Sequence, residues 1–386
     1  MRNRVLSGVV AVGLLALPCG GRAQIAVSAN DGKQVLVDGE QVVPERPLSD
    51  TVTLIDLGAS PPRLLGSVAA PTSVIGPPAS VAVAPDESIA LVTAARKLSP
   101  SGPGGQAPED KVSVIALKGD APRVIATLQA GQGASGVSIS PDGKLALVAN
   151  RAEGTVSVFA IAGEDVRPVG KVVIGDAKSA PAEPVFFDGG KRALVTRDGD
   201  HKISVLRIEG TTVTVEPRTL APGLRPYQID TVGPRRFAVV GDIGGGGKDI
   251  DTISLIDLVS EAFPRVVDIV AVGLTPEGLK MSPDGRFVAV SVNDGSNASP
   301  KSPRYVKEGL VQIWRIEDRG KLTKVTEART GGWGQGIAWS KDGKTLLVQC
   351  MVEQRLDVFT FDGKRLKLRT RLAMPAGPAA IRTAEP

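Results

Sequence analysis

DTVTLIDL runs from Asp50 to Leu57, and the phrase returns six more times: DKVSVIAL from Asp110, GTVSVFAI from Gly154, HKISVLRI from His201, DTISLIDL from Asp251, GLVQIWRI from Gly309 and QRLDVFTF from Gln354. Each copy alternates β-branched or apolar residues with small or polar ones, the period-two pattern of a strand. Successive copies start 44 to 60 residues apart, the length of one four-stranded blade. Seven copies therefore predict a seven-bladed β-propeller, an all-β fold.

A second pattern precedes the phrase in most blades. GVSISPDGKLALVAN from Gly136 is the clearest copy, with SVAVAPDESIALVTA from Ser80, GLKMSPDGRFVAVSV from Gly278 and GIAWSKDGKTLLVQC from Gly336. PVFFDGGKRALVTRD from Pro184 and PYQIDTVGPRRFAVV from Pro226 are degenerate versions. Each reads as strand, tight turn, strand: Gly supplies positive φ and Asp bonds to nearby backbone. The repeated phrase is then the third strand, and a variable fourth follows, as in RVIATLQAG from Arg123.

The chain ends complete the pattern. IAVSANDG from Ile25 matches a second strand, FVAVSVNDG from Phe287, so the first blade starts without its innermost strand. PAAIRTAEP from Pro378 parallels PASVAVAPD from Pro78. Residues near 379–383 are thus predicted to pair into blade one, closing the ring and removing an exposed edge.

These phrases resemble the YVTN-type, lactonase-like seven-bladed propeller repeat, from about Ile25 to Thr383; the nearest match to the family's Tyr-Val-Thr-Asn is Leu147-Val148-Ala149-Asn150. The resemblance implies a propeller, and a choice among lactonases, cycloisomerases, surface-layer proteins and periplasmic binding modules. It also implies that a cofactor-free accessory subunit of a periplasmic redox complex is open as a role.

The 386 residues carry 45 Gly, 29 Pro and 3% aromatic side chains, which suits short strands and many turns. Residues 1–23 read as a signal peptide: Arg2 and Arg4, an apolar stretch from Val5 to Leu17, then Gly21-Arg22-Ala23 before a mature start at Gln24. That stretch is short for a membrane span, and Pro18 before Cys19 fits a lipidation signal poorly. Residues 24–386 are expected to form one periplasmic domain. Cys350 then has no partner for a disulfide and reads as a small buried apolar group.

The net charge of +5 is spread along the chain, so ordinary surface charge is expected rather than a nucleic-acid site. One His and no Cys pair argue against a zinc or copper centre, and no Cys-x-x-Cys-His offers haem attachment. No metal and no cofactor are expected.

Aligning the first strands gives one residue per blade at the channel mouth: Ala379, Ala79, Ser135, Glu183, Arg225, Glu277 and Gln335. Arg225 between Glu183 and Glu277 reads either as a structural ion-pair network or as an anion holder beside a carboxylate base. His201, in the turn RDGDHK, is a further candidate base, with Glu183 and Arg225 expected beside it. The connections between second and third strands are long in blade one (Gly32 to Ser49), blade two (Ala95 to Glu109), blade five (Asp242 to Lys248) and blade six (Asp294 to Glu308), all on the face of that mouth. Blade six offers Lys301, Arg304, Tyr305 and Lys307. Together with Gln335, Lys301, Arg304 and Tyr305 are the candidate ligand-binding residues, for a small anionic ligand or a partner protein. The leading expectation is a binding or interaction module; a lactonase-like or cycloisomerase-like enzyme acting on a small carboxylate is the alternative.

Overall fold

The computed structural model describes residues 24–385, apart from positions 75, 120, 234–235, 247–248 and 260–262. The expected signal peptide lies outside the described residues. Seven four-stranded antiparallel sheets form the ring, each running outward in chain order from an innermost to an outermost strand, except in blade one. There the innermost strand is Gly377–Thr383, paired with Ile25–Asp31 in the order tail, head, Thr51–Asp56, Arg63–Ala69. The register Val27↔Arg382, Ser28↔Ile381 and Ala29↔Ala380 joins the two ends of the polypeptide. Closure thus takes the form read from the terminal phrases, with a strand two residues longer at its start.

The inner three strands of the blades are buried at both parities because they are covered on both faces, while the outermost strands are largely exposed. In DTVTLIDL, Val52 and Leu54 pack with Val81, Val92 and Ile115 of blade two. Ile55 and Leu57 pack with Leu347, Leu356 and Met374 of blade seven. Phe159, Trp339 and Phe359, all nearly or wholly buried, fill other inter-blade layers. The tight turns work as their sequence suggests: in SPDGK, Asp142 accepts hydrogen bonds from Ser140 Oγ at 2.6 Å and Lys144 N at 3.1 Å, and Gly143 takes φ +70°.

Two connections hold more structure than the sequence reading gave them. In blade two the expected loop is mostly a protruding hairpin, Ile89–Leu98 against Gln106–Ala116. In blade one, Val35–Val37 and Glu40–Val42 form a separate two-stranded hairpin. Gln106 Nε2 of blade two donates to Gln34 and Gln41 at 3.3 and 3.2 Å. At the hairpin tip Gly39, with φ +81°, lies against the backbone of Ala298 and Ser299 in blade six, where a Cβ would clash. The hairpin therefore straps blade one to blades two and six.

Candidate functional site at the channel mouth

Strand register corrects the ring of mouth residues in two blades. Val137 faces Val148 in blade three, and the equivalent pairs are Pro184↔Val195 in blade four and Ile229↔Val240 in blade five. The level of Ser135 and Glu277 is therefore occupied by Ala182 and Tyr227. Glu183 lies one residue deeper, and Arg225 lies in the connection above its strand, Pro226–Thr231.

The expected Glu183–Arg225–Glu277 triad is not formed. Glu183 Oε1 accepts from Arg382 Nη2 at 2.7 Å, and Oε2 accepts from Ile229 N at 2.7 Å, inside the channel. Arg225 instead donates through Nε to Asp198 Oδ1 at 2.7 Å. Arg151, from blade three, engages the other Asp198 oxygen. Burial pushes the Asp198 carboxyl up, but the two guanidinium groups outweigh it and hold it below the usual range. Glu277 accepts from Asn293 Nδ2 at 2.8 Å and Trp333 Nε1 at 2.9 Å, and burial pushes its carboxyl up. His201 is exposed in its turn at φ +60°, and Glu183, its expected partner, is already held by Arg382 and Ile229 N.

Tyr227 sits among these charges. The Arg151 guanidinium lies 5.7 Å from its ring centroid, and burial pushes its hydroxyl pKa up. The ring packs beside Pro77, Pro78, Ala79, Ala182 and Gln228 around a gap of about 130 Å³ that is too narrow for a water molecule. Gln335 is fully buried. Lys301, Arg304 and Tyr305 lie in the blade-six connection, which also carries Ser296, the acceptor for Trp333 N at 3.0 Å. Cys350 is fully buried and its thiol is pushed up to about 12, chiefly by burial, consistent with a packing role. Among the described residues no group of three or more His, Cys, Asp or Glu is placed to hold a metal, and no helix is long and apolar enough to cross a membrane.

Sequence reasoning missed a charged layer two residues deeper along the first strands than Glu183. Arg382, Asp230 and Lys280 occupy one level of the first strands, where Ala82, Ser138, Val185 and Ala338 stand in the other blades. Lys280 Nζ pairs with Asp230 at 2.8 Å and with Glu385 at 2.5 Å. Three charges at a repeat position otherwise small or apolar were the available signal, hidden by the slipped register. Beneath this layer, at the end carrying the first-to-second strand turns, two cavities of about 280 and 380 Å³ open.

Asp242, beneath Gly223 at the mouth, supplies a pH prediction. Its Oδ2 accepts from Ser254 and Thr252 hydroxyls at 2.6 and 2.9 Å, but burial raises its pKa to about 7. A carboxyl raised on folding binds its proton more tightly in the native state. Its stabilising share is complete below the unfolded value near 3.8 and is lost as pH rises through about 7. Asp242→Asn should therefore gain stability relative to the parent between pH 5 and pH 8, by on the order of 2–4 kcal/mol. Urea unfolding at the two pH values checks it; equal differences at both would place the native pKa elsewhere.

No family model matches the chain, and no curated protein sequence matches it. Solved structures do. A candidate 6-phosphogluconolactonase from Bacteroides uniformis is 14% identical with a TM-score of 0.71, covering 94% of this chain and 100% of that one. The periplasmic gluconolactonase of Pseudomonas aeruginosa is 17% identical with a TM-score of 0.61 over 93% and 99%. Hydrazine synthase of Kuenenia stuttgartiensis is 18% identical with a TM-score of 0.62 over 81% and 91%. The chain is a seven-bladed β-propeller. At these identities the likeness extends to the fold, and the chemistry of the propeller has to be argued from its own side chains.

Proposed function

We propose that this propeller is a secreted, periplasmic interaction module that binds a partner protein through the loop-rich face around the channel mouth. The observation that carries the reading is which connections expose apolar side chains. Val43, Leu48, Leu224, Ile250, Tyr305 and Val352 are 39 to 67% exposed in connections on that face, against Val259 in those of the opposite end; the other exposed large apolar residues lie in the blade-one hairpin and on outermost strands. Exposed apolar residues gathered on one face suit a partner surface. The blade-one hairpin, tied to blades two and six, gives this face a preformed shape and lowers the ordering cost of binding.

A photoreactive side chain at Val43 or Tyr305 should capture a partner in the native compartment, whereas the same group at Val259, on the opposite end, should not. Equal capture from Val259 would contradict the reading.

The second reading is a lactonase-like enzyme, favoured by the names of the structural neighbours. Its chemistry would fall to Arg151, Arg225, Tyr227 and Glu277. Against it stands the pairing of both guanidinium groups with Asp198. Hydrolysis of glucono-lactone should stay at the uncatalysed rate. Turnover that Arg225→Ala abolishes would replace the binding-module reading.

A further inference from the structure

The 280 Å³ cavity lies at the end of the channel remote from the proposed partner face. Its walls are largely apolar, with Val137, Ile139, Phe186 and Phe187 prominent, and its inner end is charged. Ligand pockets have this composition: an apolar lining with a few placed polar groups. The volume is roughly twice that of an engineered cavity that takes up benzene.

The charges select the ligand's sign. Glu183, Asp230 and Glu385 line the cavity with Arg382, and Lys280 reaches Asp230 and Glu385 from the neighbouring cavity, so three carboxylates stand against two cations. Arg382 is turned away to protein acceptors, Glu183 at 2.7 Å and the Ile381 carbonyl at 3.1 Å. The oxygens of Glu183 are both engaged, as are those of Asp230, whose Oδ2 accepts from Met281 N at 2.7 Å. Glu385 differs: Lys280 Nζ pairs with its Oε1 at 2.5 Å, but the side chain is 39% exposed and borders both cavities, so its carboxylate can also meet a ligand.

We propose that this cavity is a binding site for a small organic amine, with an apolar or aromatic body against Phe186 and Phe187 and its ammonium group beside Glu385. Burial raises Glu183 to about 7 despite Arg382. A bound cation favours the ionised form, so binding should tighten from pH 6 to pH 8. Arg382 and Asp230 act on Glu183 directly, and Lys280 and Glu385 act on those two, so all four set the balance that the ligand completes.

Three probes of one shape test this: benzylamine, benzyl alcohol and benzoate, titrated calorimetrically into the full chain. Benzylamine should bind about tenfold tighter than benzyl alcohol, with benzoate weakest, as expected for a charge-assisted contact. Glu385→Gln should weaken benzylamine by about tenfold and leave benzyl alcohol within about twofold. This variant keeps the Lys280–Asp230 pair, so the fold should persist. Ser138→Phe, on the cavity wall, should abolish binding of all three. Benzoate binding as tightly as benzylamine, no benzylamine binding at millimolar concentration, or an unchanged benzylamine affinity in Glu385→Gln would each overturn the proposal.

Discussion

A chain stopped before Gly377 should lose its cooperative unfolding transition at room temperature. The deletion removes the whole innermost strand of blade one and leaves Ile25–Asp31 as an unpaired edge beside the channel. It removes Ile381, fully buried against blade seven, a side chain whose burial is worth about 2 kcal/mol. It strips Gln349 Nε2 of its bond to the Ala380 carbonyl at 2.9 Å, and it leaves Glu183 buried without Arg382. A buried charge losing its partner alone costs about 3–5 kcal/mol. The sum, on the order of 5–10 kcal/mol, approaches the entire stability of an ordinary domain. Thermal and urea unfolding of the shortened chain check it. A transition near that of the full chain would mean the strand contributes little.

Arg382→Met should be the most damaging single substitution in the channel, by about 3–5 kcal/mol at pH 8. Both side chains of the Arg382–Glu183 pair are 5% exposed, so no solvent replaces the lost guanidinium. The penalty should shrink towards pH 5. Without Arg382 the Glu183 carboxyl, already about 7, rises further and is simply protonated there. Pairing the change with Glu183→Gln should recover most of the loss, because a neutral amide needs no cation. Urea unfolding of the two single variants and the double variant at both pH values measures the coupling. Additive losses would show that Arg382 acts through packing alone.

Much of the fold was legible because blade geometry writes itself twice, in the period-two phrase and in the Pro-Asp-Gly turn. The match between PAAIRTAEP and PASVAVAPD was enough to place the tail beside the head. The site was harder to read because the first strand of every blade but the second carries a bulge near its start. Pro181 faces Arg197 and Pro184 faces Val195, so three residues are spanned against two. Aligning blades four and five by their first proline moved Glu183 outward by one position and put Arg225 where Tyr227 stands. Contacts across the ring then followed the wrong partners. Asp198, which binds Arg151 and Arg225, sits in a tight turn that nothing in the repeat marks out. The apolar face depends on which loop residues remain uncovered, a property of packing that no local pattern carries.

Hydrogen–deuterium exchange by mass spectrometry on the full chain tests circular closure most directly. Closure requires amides of Gly377–Thr383 to exchange as slowly as those of Gly334–Trp339, the innermost strand of blade seven. Exchange of that tail segment at the rate of exposed loops would contradict it, and with it the register that sets Arg382 beside Glu183.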